Sequence, residues 1–222
     1  MRFIVSEHAQ GTQEWLQDRA GKATGSRAAA IKSFLKDGKE SAARRDYRIE
    51  LALERLTGQA AEQEFITKEM QRGTEQEPYA RMAFEDRTGL FVSESGFVFL
   101  PDMMAGCSVD GFIKDGGRFG LWESKSPKSF THINYIKAGV LPEDYRPQVI
   151  HNMWVTGAEF ADFFSYDSRM PESLQCFHVR IERNEKEIEL HEQAVIKFLA
   201  EVDQECLDLL ALQETVKQRL AA

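Results

Sequence analysis

Between residues 105 and 127 the chain reads A-G-C-S-V-D-G-F-I-K-D-G-G-R-F-G-L-W-E-S-K-S-P, and this stretch restricts the fold more than any other. Short runs rich in aromatic and β-branched residues at 105–109, 112–114 and 119–125 are separated by Asp110-Gly111 and by Asp115-Gly116-Gly117. Those turn residues supply the backbone conformations of tight reversals, so the stretch must fold back on itself as neighbouring strands. Alternate residues of a strand share a face, so Glu123 and Lys125 project together while Ser124 points away. A second acid, Asp110, sits at the first turn of the same unit.

The flanking sequence supplies further strands and the helices to cover them. A strand is predicted at 97–100, and two more at 160–166 and 175–182. Thr24 or Ser26 is placed to cap a helix through Ala28, Ala29 and Ala30, whose start would present free N–H groups. Residues 44–56 read as a helix, with Ile49, Leu53 and Leu56 at helical spacing and Thr57-Gly58 at its end. A helix over 67–87 should be bent or interrupted near Gly73 and Pro78, or restarted at the capping box 74–77. Helices are also expected at 130–138 and 142–154. The chain then closes on an amphipathic helix, about 185–215, with Val195, Phe198, Leu199, Val202, Cys206 and Leu209 on one face. This order predicts an α/β (α+β) fold, a central mixed β-sheet flanked by helices, in one domain spanning 1–222.

Bulk properties exclude several classes. No apolar run approaches the roughly 18 residues that span a bilayer, and the N-terminal apolar stretch, Phe3 to Val5, is far short of a signal-peptide core. A cytoplasmic protein with no membrane partner is expected. Cys107, Cys176 and Cys206 are odd in number and widely spaced, which argues for free thiols over a disulfide framework or a zinc site. The net charge of -8 is unusual for a nucleic-acid binder, but residues 19–48 carry nine bases against three acids. That asymmetry fits either a basic surface on an acidic exterior or an exposed helical segment with solvated lysines.

Asp110 and Glu123 would repel one another unless a cation joined them, and a hard divalent metal such as Mg2+ favours carboxylate oxygens. Lys125 beside such a cluster, its pKa lowered, would orient or deprotonate a metal-bound water, and the natural reaction is phosphodiester hydrolysis. Taken alone, the three residues also arise readily by chance in a chain with 36 acids.

Wider landmarks occur in order: W-L-Q-D-R-A-G-K-A-T-G-S at 15–26, R-G-T-E-Q-E at 72–77, C-S-V-D-G at 107–111 and W-E-S-K-S-P at 122–127. They continue with Y-R-P-Q-V at 145–149, M-W-V-T-G at 153–157, Y-D-S-R-M at 166–170 and I-E-R-N-E-K at 181–186. On these the chain resembles the lambda exonuclease family, phage recombination nucleases of the YqaJ type with a PD-(D/E)xK, restriction-endonuclease-like core. Residues 33–48 and 126–141 match that pattern poorly, and Pro78 after Glu77 is not part of it.

The resemblance implies a Mg2+-dependent 5′-to-3′ exonuclease on linear double-stranded DNA, leaving a 3′ overhang for recombination by single-strand annealing. One or two metal ions are implied, with Mn2+ as a substitute, and the partners would be DNA ends, two further copies in a homotrimeric ring, and an annealing protein. It assigns Asp110, Glu123 and the Ser124 backbone carbonyl as metal ligands, Lys125 as the motif lysine, Glu77 as a helix-borne acid near the metal, and Gln148 as an amide that orients phosphate or water. Arg19, Thr24, Ser26 and Ser108, with Gln148, match a pocket for the 5′-phosphate, and Met70 matches an apolar wedge in the duplex. Plainer roles stand beside these: an ion pair of Arg19 with Asp18 or Glu14, a capping box for Glu77, a helix surface for Gln148, and core for Met70. Two other functions compete, a structure- or sequence-specific endonuclease with the same core and a catalytically inactive DNA-end adaptor.

Overall fold

The computed structural model describes residues 3–61 and 68–221 of the chain. Its first half comprises β1 (Ile4–Val5), α1 (Gln13–Arg19), β2 (Ala23–Thr24), α2 (Ala28–Ile31), α3 (Ala42–Thr57) and α4 (Lys68–Thr88). The strands β3 (Phe97–Phe99), β4 (Ala105–Ser108), β5 (Gly111–Asp115) and β6 (Arg118–Lys125) follow. The remainder is α5 (Ser129–Ala138), α6 (Arg146–Thr156), β7 (Phe160–Tyr166), β8 (Cys176–Glu182) and α7 (Glu185–Ala221).

The strands form two four-stranded sheets, β1-β3-β4-β2 and β5-β6-β7-β8, where the sequence suggested one central sheet. The division falls at Val109 and Asp110, where the chain leaves β4 and enters β5. Each sheet is mixed: β2 runs parallel to β4, and β6 parallel to β7, with the other pairs antiparallel. All seven residues of β7 are buried, as expected for a strand covered on both faces.

Strand alternation sorts the core into two layers. Leu121, Ala161 and Phe163 pack toward α6 and α7, against Val149, Met153, Trp154, Val195 and Phe198. Trp122, Phe160 and Phe164 pack on the other side, against Ala80 and Phe84 of α4. Glu123 and Lys125 share the parity of Leu121, so they emerge on the α6 side.

Three local expectations are corrected. The helix through the alanines is only four residues long and follows a 3-10 turn, Gly25–Arg27, and no side chain caps either piece. Thr24 is instead drawn into β2, paired with Gly106. Second, α4 runs unbroken through Pro78, with neither an interruption at Gly73 nor a restart at Thr74. Pro78 lies on the exposed face, where one missing backbone bond is tolerated. Third, the basic segment is neither wholly open nor merely solvated, because five of its nine bases are paired: Arg27 with Glu50, Arg45 with Asp46, Lys39 with Asp37, and Arg44 and Arg48 with Glu40 and the α7 glutamates Glu201 and Glu205. Arg44 and Arg48 thus join α3 to α7.

The three cysteines are free, with Cys107 buried and the other two half-buried. No helix among the described residues is long and apolar enough to cross a membrane. At 37 residues α7 runs past the expected end near 215.

α6 and α7 are joined by a fully buried histidine pair. His151 Nε2 lies 3.1 Å from the Gly106 carbonyl and its Nδ1 3.0 Å from His191 Nε2. A carbonyl only accepts, so Nε2 of His151 carries the proton and His191 donates to Nδ1; both rings are neutral. Burial pushes His151 down to about 4, and burial together with His151 lowers His191. The unfolded chain therefore binds protons that the native state refuses once pH falls below the ordinary value of 6.5. Stability present at pH 7 should be lost toward pH 5, by about 2 kcal/mol for each ring. Denaturant unfolding at the two pH values will read this decline, and His191→Leu should reduce it to roughly half. An unchanged slope in that variant would exclude His191 as a source.

Candidate active site

The arrangement is built around Glu123, which is 3% exposed. Lys125, two residues on along the same face of β6, donates its ammonium to Glu123 Oε1. Gln148 Nε2 donates to the same oxygen at 2.6 Å, and Asn152 Nδ2 to Oε2 at 3.2 Å. Gln148 and Asn152 are four apart on α6 and so lie on one side of it, above the β6 face that carries the motif. Asp110 enters from the junction between the sheets, its Oδ2 accepting the Ser124 backbone N–H at 2.7 Å. That bond fixes Asp110 at the middle residue of the Glu-x-Lys triplet.

A second group of polar side chains lies beside the first. Arg19 Nη1 donates to Ser108 Oγ at 2.8 Å, and its guanidinium stacks over Trp15 at 4.3 Å and near Phe97 at 5.5 Å. No ion pair to Arg19 occurs among the described residues, and Asp18 is engaged by Ser6 and His8 instead. Thr24 is buried, its N–H donating to the Tyr47 hydroxyl at 2.9 Å, while Ser26 is exposed. Between them Gly25 lies against Asn152: a Cβ there would stand 2.1 Å from Asn152 Oδ1. The Asn152 amide thus spans the Glu123 carboxylate and the Gly25 turn. Gln148, expected in both groups, bonds to Glu123. The Met70 side chain lies outside the described residues.

The model of the YqaJ-like viral recombinase domain matches residues 14–159, well over half the chain. The chain belongs to this family. It is also 38% identical to LHK-Exo, an alkaline exonuclease from Laribacter hongkongensis, with TM-scores of 0.82 for the complex with dAMP and 0.81 for a second structure. Each comparison covers 92% of this chain and 100% of the relative. A phage related exonuclease from Haemophilus somnus 129PT, 18% identical over 85% of this chain and 96% of its own, shares the fold at a TM-score of 0.63. No curated protein matches significantly. The YqaJ-like chain is accordingly a nuclease with the PD-(D/E)xK-type fold.

Electrostatics set like charges against one another in this YqaJ-like site. Burial raises the Glu123 pKa, Lys125 opposes that rise and Asp110 adds to it. Glu77, half-buried on α4, is pushed up to about 7 by burial and by the Asp110 charge, with Lys125 opposing. Glu77 and Glu123, both disfavoured as anions beside the Asp110 charge, are with Asp110 a chemically suitable donor set for a hard divalent cation. No ready-made group of three metal-ligating side chains occurs among the described residues, however. Lys125 corrects the expectation of a lowered pKa: burial would lower it, but Glu123 and Asp110 outweigh burial and leave it raised. It is an ammonium at neutral pH.

Asn152 is the member that sequence reasoning missed. Its only signal is a polar residue four positions after Gln148 on the same helix. Asn152→Ala removes the donor to Glu123 Oε2 and should lower turnover on linear duplex by about tenfold to a hundredfold. Asn152→Asp, which sets a carboxylate against Glu123, should be worse. Equal turnover in all three proteins, each checked by thermal melting, would remove the amide from the site.

Proposed function

We propose that the chain, acting as one nuclease domain across 1–222, is a Mg2+-dependent exonuclease that degrades one strand of linear double-stranded DNA from its 5′ end. The observation that carries this reading is the contact of Asn152 with both Glu123 and the Gly25 turn, which sets an acid-rich hydrolytic centre directly beside an anion-binding group. Asp110, Glu123, Glu77 and the Ser124 carbonyl would hold one or two Mg2+ ions, or Mn2+ in their place. Bound there, the metal supplies Lewis-acid polarisation of the phosphate and a more acidic water.

The protein's own residues account for the remaining requirements. Lys125, an ammonium, donates to the attacked phosphate or its water and steadies developing negative charge. Gln148 and Asn152 hold Glu123 in one orientation. Water attack with loss of the 3′ oxygen releases a 5′-mononucleotide and leaves a new 5′-phosphate on the shortened strand. LHK-Exo in complex with dAMP supports mononucleotide release. Arg19, Ser108 and the turn carrying Thr24 and Ser26 suit that terminal phosphate, because a guanidinium and hydroxyls are anion donors. Each cut thus regenerates the group that the pocket reads.

Family membership further supports a homotrimeric ring around the duplex, a wedge role for Met70, a single-strand annealing partner for the 3′ overhang, and action in the cytoplasm of a bacterial host from a phage or prophage gene.

Duplexes labelled at either end test the direction. Label at the 5′ end should appear first as mononucleotide and depend on Mg2+, and Lys125→Ala should cut at least about a hundredfold more slowly. Rapid cutting of covalently closed circles would favour the endonuclease, and binding without cleavage the adaptor. Arg19→Ala should impair 5′-phosphorylated ends more than 5′-hydroxyl ends, by about tenfold or more. Equal losses on both ends would show that Arg19 is not a phosphate reader.

A further inference from the structure

α4 presents Glu77 to the site, yet its apolar anchors, Ala80 and Phe84, lie C-terminal to that residue. Residues 71, 74, 75, 78 and 79 are exposed, so the N-terminal half of the helix has little apolar contact to hold it. Something else must hold this half of α4 in place.

Arg72 is placed to do so. Its Nη1 donates to the carbonyls of Ser126 at 2.9 Å and Pro127 at 3.1 Å, the two residues that follow Lys125. Its Nη2 donates to Asp167 Oδ1 at 3.1 Å. Asp167 is fully buried just past β7 and also takes Arg169 Nε at 2.7 Å and Nη2 at 2.9 Å. Arg169 reaches back to the Pro127 carbonyl at 3.2 Å, and Ser168 Oγ donates to Gln76 Oε1 at 2.6 Å. Arg72 and Gln76, one helical turn apart, therefore tie α4 to the ends of β6 and β7 immediately before Glu77.

We propose that Arg72 is a positioning residue for the nuclease centre, clamping α4 to the end of the Glu-x-Lys strand through Asp167 and so holding the Glu77 carboxylate against Asp110. The inference rests on the nuclease reading above. A planar guanidinium suits the task because it spans two carbonyls and a carboxylate at once, which a lysine cannot.

A double-mutant cycle on the full chain separates positioning from simple structural support. Arg72→Gln, Glu77→Gln and the double variant are compared with wild type in kcat and KM on linear duplex, and in Mg2+ binding by calorimetry without DNA. Arg72→Gln should lower kcat and weaken Mg2+ binding by about tenfold to a hundredfold, with KM for DNA little changed. In the Glu77→Gln background the same change should add less than about twofold to either loss. Losses that multiply fully, or an Arg72→Gln protein as active and as metal-competent as wild type, overturn the clamp. A wild-type protein that binds Mg2+ but cuts no DNA overturns the nuclease reading, while the calorimetric cycle still decides the clamp. If Arg72→Gln melts early, Arg72→Lys keeps a cation beside Asp167 without the fork, and the same non-additivity is required of it.

Discussion

A carboxylate that is 3% exposed has to be held by donors, and the arrangement around Glu123 follows from that requirement. Lys125 needs β6 to remain extended so that positions two apart share a face. Gln148 and Asn152 need α6 to lie over that face with a helical turn in register. Each donor is supplied by a different level of structure, strand alternation for one and helix placement for the other two. Removing a single donor leaves a buried charge short of partners, which is more damaging than the modest net worth of a hydrogen bond.

The two sheet faces divide the work. On one side α6 brings the donors that keep Glu123 oriented, backed by α7 through the buried His151–His191 contact. On the other, α4 brings a further acid, Glu77, toward charges that repel it. Support and stress thus arrive from opposite layers and meet at the C-terminal end of β6. Under the proposed function a bound cation would relieve the stress without disturbing the support, since the amides of Gln148 and Asn152 remain donors whichever charge balance holds.

The strands and the shared face of Glu123 and Lys125 were legible because their signals are local. Turn dipeptides fix Asp110-Gly111 and Asp115-Gly116-Gly117, and period-two alternation aligns Glu123 with Lys125. What could not be read depends on tertiary placement. Pro78 looked like a break, but an exposed helix face tolerates one missing bond. Thr24 looked like a cap, but pairing with Gly106 in β2 outweighs that role. The basic run at 19–48 fitted either a surface or a solvated helical segment, and only the approach of Glu201 and Glu205 on α7 reveals Arg44 and Arg48 as part of a helix–helix ion network. Asn152 had only its spacing from Gln148 as a signal, since its contacts depend on Glu123 and Gly25 being near each other in space and not in sequence.

Under the proposed function, the nearness of reader and cutter also limits the product. Ser108, which receives Arg19, and Asp110 at the acid cluster are two residues apart, a separation of about 7 Å in extended chain. That distance leaves room for little more than one nucleotide between a bound terminal phosphate and the bond being cut. Both groups hang on the same short run of backbone at the junction between the sheets. The length of the product is then a property of the β4–β5 junction, and direction follows from which side of the acid cluster carries the phosphate reader.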